Sequence, residues 1–320
     1  MAIQVINPEN EAAWLKLRAQ DITSTEVAAL FGVSPYCTLF ELWHRKRDQV
    51  VVEIESNERM KWGNRLQDAI AEGIAKDQGW QVRRMTEYMR DDQLRMGASF
   101  DFAIDAGGPL PGPSYKGKDY RGLLEIKNVD SLAFQNGWAE DDAGNIEAPP
   151  HIEIQVQHQL AVSGRAFCYI GALVGGNRLV LIKREPDAKI IDAIKSQVAS
   201  FWFTIASGKE PVPDFSRDAK FIARLYGYAD PGKIFDARGD AEIAQLASRY
   251  RELGNAIKEA ETQREGIKAQ LLLKIGDAEK VTGDGFSINA GVQGPTWIEA
   301  YERKGFRTFR VNWKRVKETV

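Results

Sequence analysis

The spacing of apolar residues changes twice within the first 210 residues and divides this part of the chain into three stretches. Over residues 8–47 and 57–78, apolar positions recur every three or four residues, as they do in amphipathic helices. Between 80 and 185 the pattern is mostly strand-like, as in WQVRRM, EYMRDD, MGASFDFAID and RGLLEIKN, with one helical stretch, HIEIQVQHQLAVSG. Residues 187–208 return to a helical period. This order predicts the α/β class, with a mixed central sheet flanked by helices.

The pattern changes again after about residue 210. PVPDF has the composition of a linker, and apolar residues then step by three and four from Ile243 to Leu271, with Arg264 interrupting the series. Beyond Gly276, FSINAGVQ, TWIEAYE and GFRTFRVNWKR are strand-like. The sequence therefore predicts a main domain over 1–210, a linker over 211–239, and a C-terminal appendage over 240–320, in which a long heptad helix of coiled-coil type precedes a β-rich tail.

Composition narrows the functional classes. A net charge of −2 over 320 residues excludes a globally basic nucleic-acid binder, so any such site must come from local clustering of Lys and Arg. Two cysteines, Cys37 and Cys168, without a CxxC spacing argue against a disulfide framework and a cysteine zinc site. The N-terminus has no signal-peptide pattern, and no apolar run approaches the ~20 residues of a membrane helix. We expect a cytoplasmic protein with no membrane contact.

The strand-like segment RGLLEIKN carries charged residues where a buried strand is predicted. Side chains two apart on a strand share a face and lie roughly 7 Å apart, so Glu125 and Lys127 project together, away from Leu124 and Ile126. GASFDFAID places Asp101 on a neighbouring strand. Two carboxylates and the main-chain carbonyl of Ile126 suit Mg²⁺ or Mn²⁺, with Lys127 beside a phosphate. This D…ExK pattern is typical of metal-dependent phosphodiester hydrolysis, although an isolated ExK is more often a solvated strand edge.

Five separated blocks make the pattern more specific. In order along the chain they are WLKLRAQDITSTEV, WGNRLQ, GASFDFAID, LLEIKN and IEIQVQHQLAVSG. Together they resemble the YqaJ-like viral recombinase family (lambda-exonuclease-like), which belongs to the PD-(D/E)xK nucleases with a restriction-endonuclease-like core. The resemblance covers residues 10–210, about two thirds of the chain.

The resemblance implies a set of site residues. They are the metal ligands Asp101, Glu125 and Ile126, the catalytic Lys127, the neighbouring Gln67, Gln155 and Gln157, and the DNA 5′-phosphate pocket of Arg18, Thr25 and Ser99. Gln155 and Gln157 are two apart on a helix and do not share a face well, so we expect one of them to point to the site. Gln67 replaces the family's helical glutamate, and a neutral amide would hold a second metal more weakly.

The function implied by the resemblance is a Mg²⁺-dependent (or Mn²⁺-dependent) DNA exonuclease that acts 5′ to 3′ on linear duplex DNA in phage-type homologous recombination. The implied partners are double-stranded DNA, a single-strand annealing protein and further copies of the chain in a trimer, in a bacterial host with a phage or prophage origin. Two alternatives stay open: a DNA-binding scaffold with a degenerate nuclease core, motivated by Gln67 and the heptad helix, and a metal-dependent endonuclease.

Overall fold

The computed structural model describes residues 3–50, 57–108, 114–115, 118–140, 142, 144–295, 297 and 307–311. The chain divides into two compact units, Met1–Phe221 and Ile222–Val320. The first unit contains every residue that the sequence assigns to the candidate site. None of the helices in the described ranges is both long enough and apolar enough to cross a membrane.

Helices begin where the sequence offers capping side chains. Asn10, Thr38 and Asn57 each accept a hydrogen bond from a backbone N–H of the first turn, and Gly79 and Gly164 end two helices in the left-handed conformation. The helices are α1 (Glu11–Gln20), α2 (Val27–Leu30), α3 (Leu39–Arg47), α4 (Glu58–Gln78), α5 (Ser131–Gly137), α6 (Pro150–Ser163), α7 (Ala188–Ala206), α8 (Phe215–Leu225) and α9 (Ala241–Ile275).

A five-stranded mixed sheet forms the centre of the first unit. Its strands, in spatial order, are β13 (Arg178–Arg184), β12 (Phe167–Val174), β9 (Gly122–Val129), β6 (Phe102–Gly107) and β3 (Trp80–Arg84). β9 and β12 are parallel, because α6 lies between them in sequence, and the other pairs are antiparallel. The mixed α/β architecture predicted from the sequence is confirmed.

A second sheet of four short strands lies in the same unit. The predicted strand MGASFDFAID is divided between the two sheets, because β5 belongs to the small sheet and β6 to the central one. The small sheet has the order β1 (Gln4–Ile6), β4 (Tyr88–Asp91), β5 (Met96–Ala98) and β2 (Ile22–Thr23). Among the described residues, three two-stranded pieces complete the strands: β7 (Ser114–Tyr115) with β8 (Lys118–Asp119), β10 (Ala139–Glu140) with β11 (Ile146–Glu147), and β14 (Lys280–Gly283) with β15 (Phe286–Asn289).

Both faces of β9 are packed. Leu124 and Ile126 join a cluster with residues of α4, whereas Leu123 joins the larger cluster that includes residues of α6 and α7. The strand is therefore apolar on both sides, as expected for a strand covered by helices on both faces. Glu125 and Lys127 lie on the same side as Leu123, where the packing opens toward the site.

The second unit contains α9 and the β14–β15 hairpin. Along the described α9 no residue is buried, and the heptad positions from Ile243 to Ile257 are exposed. The structure has a long helix in the predicted region and a strand in FSINAGVQ, whereas the pairing of the heptad face and the domain limits at 210 and 240 stay predictions. The predicted tail strands TWIEAYE and GFRTFRVNWKR fall largely outside the described residues.

Candidate active site

Asp101 lies between β5 and β6, at the point where the chain passes from the small sheet to the central one. Its Oδ2 accepts a 2.8 Å hydrogen bond from the backbone N–H of Ile126 in β9. Its Oδ1 accepts a 3.1 Å hydrogen bond from Nε2 of Gln67 in α4. These contacts aim the Asp101 carboxyl at the rim where β9 carries Glu125 and Lys127.

Glu125 is 5% exposed, and its two carboxylate oxygens accept hydrogen bonds from three side chains. Nζ of Lys127 and Nε2 of Gln155 donate to Oε1, at 2.7 and 2.6 Å. Nε2 of Gln159 donates to Oε2 at 2.8 Å. Burial of an unpaired carboxylate in a strand would be energetically costly. Here one ammonium and two amides compensate the buried charge of Glu125.

Burial and a neighbouring carboxylate dominate the electrostatics of Asp101. Burial, with the nearby negative charge of Glu125 as the next cause, raises the pKa of Asp101 to about 7. Burial by itself would lower the pKa of Lys127, but Glu125 and Asp101 outweigh it and hold this pKa above its ordinary value. Lys127 is therefore a cation at neutral pH.

The Ile126 backbone is oriented for a ligand role. Its N–H is directed at Asp101, beyond the last β6–β9 pair at Phe102 and Leu124. In an extended strand the N–H and C=O of one residue point to the same edge, so the Ile126 carbonyl faces the Asp101 side. Two carboxylates and a carbonyl form a hard oxygen set.

The helix α6 supplies one of the two expected glutamines to the site and one glutamine that was not expected. Gln155 does contact the site, since its Oε1 also accepts a 3.2 Å hydrogen bond from Lys127 Nζ. Gln157 does not: its amide bonds the carbonyl of Glu185 and the N–H of Asp187, at the start of α7. The expectation that Gln157 lies in the active site is wrong, because two residues of α-helix rotate a side chain by about 200°.

Gln159 is the residue that the sequence argument missed. It lies one turn after Gln155 on the same face of α6, and its Nε2 bonds both Glu125 Oε2 and the carbonyl of Ser99, at 2.8 and 3.2 Å. Its Oε1 is buried and has no hydrogen-bond partner among the described residues. The i, i+4 spacing of Gln155 and Gln159 was the available signal.

The three residues predicted at a 5′-phosphate lie close together near the active site. Nη2 of Arg18 is 3.2 Å from the hydroxyl of Thr25. The Arg18 guanidinium also stacks on the Trp14 ring at 4.6 Å, and Trp14 Nε1 donates to the Ser99 hydroxyl at 2.8 Å. Trp14, which the sequence argument did not assign to the pocket, therefore connects Arg18 to Ser99. Because Gln159 contacts the Ser99 carbonyl, this pocket adjoins the acidic centre.

A buried ion pair supports this pocket from behind. Lys46 Nζ lies 2.7 Å from Glu26 Oε2 and donates to the Arg18 carbonyl at 2.6 Å. The hydroxyl of Thr23 donates to the same Glu26 oxygen at 2.7 Å. The turn that carries Thr25 and the end of α1 that carries Arg18 are thus fixed by the same two charges.

Sequence comparison relates part of the chain to a known family. Residues 13–166 match the sequence model of the YqaJ-like viral recombinase domain. This match confirms the resemblance of that segment to the YqaJ-like viral recombinase family. The chain is also 26% identical over 271 residues to the uncharacterized protein YqaJ of Bacillus subtilis (strain 168), across 83% of this chain and 78% of that protein.

Solved structures with similar folds include LHK-Exo in complex with dAMP, at 21% identity and a TM-score of 0.47, and the alkaline exonuclease LHK-Exo from Laribacter hongkongensis, at 19% and 0.46. Both comparisons cover 66% of this chain and 100% of the other. A phage-related exonuclease from Haemophilus somnus 129PT gives 13% identity and a TM-score of 0.39, over 59% of this chain and 96% of that one.

Proposed function

We propose that this chain is a Mg²⁺- or Mn²⁺-dependent exonuclease that hydrolyses the 5′-ended strand of linear duplex DNA during homologous recombination. The observation that carries the proposal is the convergence of Asp101, Glu125 and Lys127 at one rim of the central sheet. The match to a viral recombinase family supports a role in recombination. The single strand left behind would be the substrate of an annealing protein.

The donor set fits a divalent cation. Asp101 and Glu125, with the carbonyl of Ile126, would hold the ion, because a divalent cation relieves the repulsion between two neighbouring carboxylates. A bound ion there would polarise a phosphoryl oxygen and lower the pKa of a bound water. The described residues contain no cluster of three or more His, Cys, Asp and Glu side chains, so only these two acids contribute charge to such a site.

The chain's own residues position the substrate and balance charge. The ammonium of Lys127 offsets the negative charge that develops on the phosphate during attack by water. Gln155 and Gln159 fix the Glu125 carboxylate in one orientation, so that it does not reorganise during the reaction. Arg18 and the Thr25 and Ser99 hydroxyls suit a terminal phosphate, because a guanidinium and hydroxyl donors match its oxygens.

The proposal is tested by digesting end-labelled linear duplex DNA that carries either a 5′-phosphate or a 5′-hydroxyl. We expect mononucleotide release from the 5′ end with Mg²⁺ or Mn²⁺, a higher rate on the phosphorylated end, and no release in EDTA. Arg18→Ala should abolish the preference for the phosphorylated end, whereas Lys16→Ala, on an exposed position of the same helix, should keep it. If Arg18→Ala lowered the rate equally on 5′-phosphorylated and 5′-hydroxyl ends, the proposed 5′-phosphate pocket would be contradicted.

The same experiment separates the alternatives. Gln67, whose neutral amide contacts Asp101, favours the alternative of a DNA-binding scaffold with a degenerate core. Binding of the duplex without strand loss in either metal would support that alternative. Cleavage of covalently closed circular DNA would instead indicate an endonuclease.

A further inference from the structure

Arg84 is a cationic side chain next to the acidic centre that has no role in the reaction as proposed above. It is the last residue of β3 and pairs with Phe102 in the β3–β6 ladder. The following residue, Met85, donates its N–H to the Asp101 carbonyl at 3.0 Å. The backbone of Arg84 is therefore adjacent to that of Asp101 across the two strands.

The Arg84 side chain is fixed in place yet accessible. Its Nε and Nη2 lie 2.8 Å from Oδ1 of Asp68, and its guanidinium stacks on the Phe102 ring at 5.0 Å. Nη2 is also 3.5 Å from Oε1 of Gln67, the residue whose Nε2 bonds Asp101. The side chain is 43% exposed, and within the described ranges its Nη1 has no hydrogen-bond partner. A donor group held this way is preorganised for an anionic ligand.

The charges favour one metal ion rather than two. The acids Asp101 and Glu125 together contribute two negative charges, of which Lys127 already neutralises one. Gln67 adds no charge, and its carbonyl oxygen faces Arg84 rather than the acids. One divalent ion is enough to compensate the two acids, whereas a second would add positive charge beside a guanidinium.

We propose that the Arg84 guanidinium binds a phosphate of the DNA strand beside a single divalent ion, and so supplies the positive charge that a second ion would otherwise contribute. This inference rests on the proposed nuclease function. A planar guanidinium satisfies two phosphate oxygens at once and needs no dissociable metal. Arg84 would then be a catalytic residue in contact with the substrate.

Metal stoichiometry is the first test. Titration of the full-length protein with Mn²⁺, with free Mn²⁺ followed by electron paramagnetic resonance, should give one bound ion per chain. Two ions bound with similar affinity would overturn the proposal. This measurement requires no DNA and no turnover, so it does not depend on the nuclease assay.

Metal-free DNA binding is the second test, and the neighbouring Arg83 provides a matched control. Arg83 is 48% exposed and points to the other face of β3, where it pairs with Glu87. In EDTA, Arg84→Gln should weaken binding to linear duplex DNA about tenfold. It should also reduce the slope of log K against the logarithm of the salt concentration by about one. Arg83→Gln should leave both values close to those of the wild type.

Turnover in the same variants completes the test. With Mg²⁺, Arg84→Gln should reduce kcat by about 100-fold, and Arg84→Lys, which keeps the charge but loses the fork, should lie between it and the wild type. Equal behaviour of Arg84→Gln and Arg83→Gln in binding and turnover would show that Arg84 forms only a surface ion pair with Asp68. If the wild type cleaves no DNA in either metal, the proposed function fails, while the stoichiometry and binding results still decide the role of Arg84.

Discussion

Lys127 and Glu125 form an ion pair two residues apart on a strand, and the sheet contains a second pair with the same spacing. Lys183 in β13 lies 2.7 Å from Glu185, but on the exposed edge and away from the acidic centre. The two pairs share their spacing, although the order of the charges is reversed, and their surroundings differ. Asp101, Gln155 and Gln159 turn the first pair into a site.

Removal of the Lys127 ammonium should abolish hydrolysis without unfolding the chain. We expect Lys127→Ala to reduce kcat by about 100–1,000-fold, because the charge developing on the phosphate loses its nearest protein cation. Glu125 keeps two amide donors, so thermal unfolding and DNA binding should change little. Lys183→Ala is the control, and its turnover should match the wild type. Comparable turnover in Lys127→Ala would refute the catalytic role.

The glutamines of α6 give a second prediction at this scale. Gln159→Leu removes a donor that orients Glu125, and such supporting contacts typically contribute about 10–100-fold in metal affinity or activity. Gln157→Leu removes two hydrogen bonds to the start of α7 and should instead lower the free energy of unfolding by about 1–3 kcal/mol, with turnover per folded molecule retained. Steady-state kinetics and urea denaturation on both variants separate the two effects. A loss of turnover in Gln157→Leu together with a loss of stability in Gln159→Leu would instead indicate that Gln157 acts in the active site.

Among the elements, β5 and β6 decide where Asp101 lies. The sequence MGASFDFAID alternates as a single strand would, yet the chain leaves one sheet and enters another within it. Asp101 lies at that transition and is held by β9 and α4 rather than by a ladder of its own. The alternation of a strand does not encode which sheet it joins, so the sequence could predict the neighbourhood of Asp101 but not this break.

The small sheet depends on a glycine at its centre. A Cβ at position 97 would lie 1.8 Å from Tyr88 Oη and 2.9 Å from Asp21 Oδ2. Tyr88 is fully buried and its hydroxyl bonds Asp21, so it cannot move aside easily. We expect Gly97→Ala to lower the free energy of unfolding by about 3 kcal/mol, the upper end for overpacking.

The control for this prediction is a glycine in open surroundings. Gly73 lies within α4, and a Cβ added there meets nothing within 4 Å. Gly73→Ala should therefore raise the free energy of unfolding by about 1 kcal/mol, the usual gain from helix propensity. Urea denaturation of both variants measures the difference, and a tolerated Gly97→Ala would contradict the close packing of Tyr88.

At the scale of the whole molecule, His158 links stability to pH. Burial lowers the pKa of His158 to about 4, and the hydrogen bond of its Nε2 to the Gly97 carbonyl only partly opposes this effect. Its Nδ1 is buried without a partner in the described part of the chain, as suits a neutral ring. An unfolded chain has a histidine pKa of about 6.5 and so binds the proton first.

The contribution of His158 to stability should consequently fall as the pH falls through this window. Between about pH 6.5 and 4 this histidine binds a proton in the unfolded state but not in the native state, so its contribution to the free energy of unfolding decreases by about 3 kcal/mol over the full window. The raised pKa of Asp101 acts in the opposite direction over the same range, so the comparison with a His158 variant isolates the histidine. His158→Gln can still donate to Gly97 but does not titrate. Urea denaturation at pH 7.5 and 5 should show a smaller acid loss in the variant than in the wild type. Equal losses would rule out His158 as the source.

The sequence by itself determined the elements and the chemistry that they carry. Helical and strand periods predicted α4, β9 and α6, because those periods follow from which side of each element must be buried. The spacing of Glu125 and Lys127 fixed their common face, since side chains alternate along a strand. The ordered blocks carried the resemblance to the recombinase family, which the match over residues 13–166 confirms.

Tertiary structure decided which side chains meet. Gln159 rather than Gln157 reaches Glu125 because the rotation of α6 against the sheet is set by packing on both of its flanks, not by its own sequence. Trp14 joins the predicted phosphate pocket, and Arg84 the acidic centre, through contacts between residues 85 and 17 positions apart in the chain. Such contacts depend on how separate elements are placed against each other, and no local pattern records that placement.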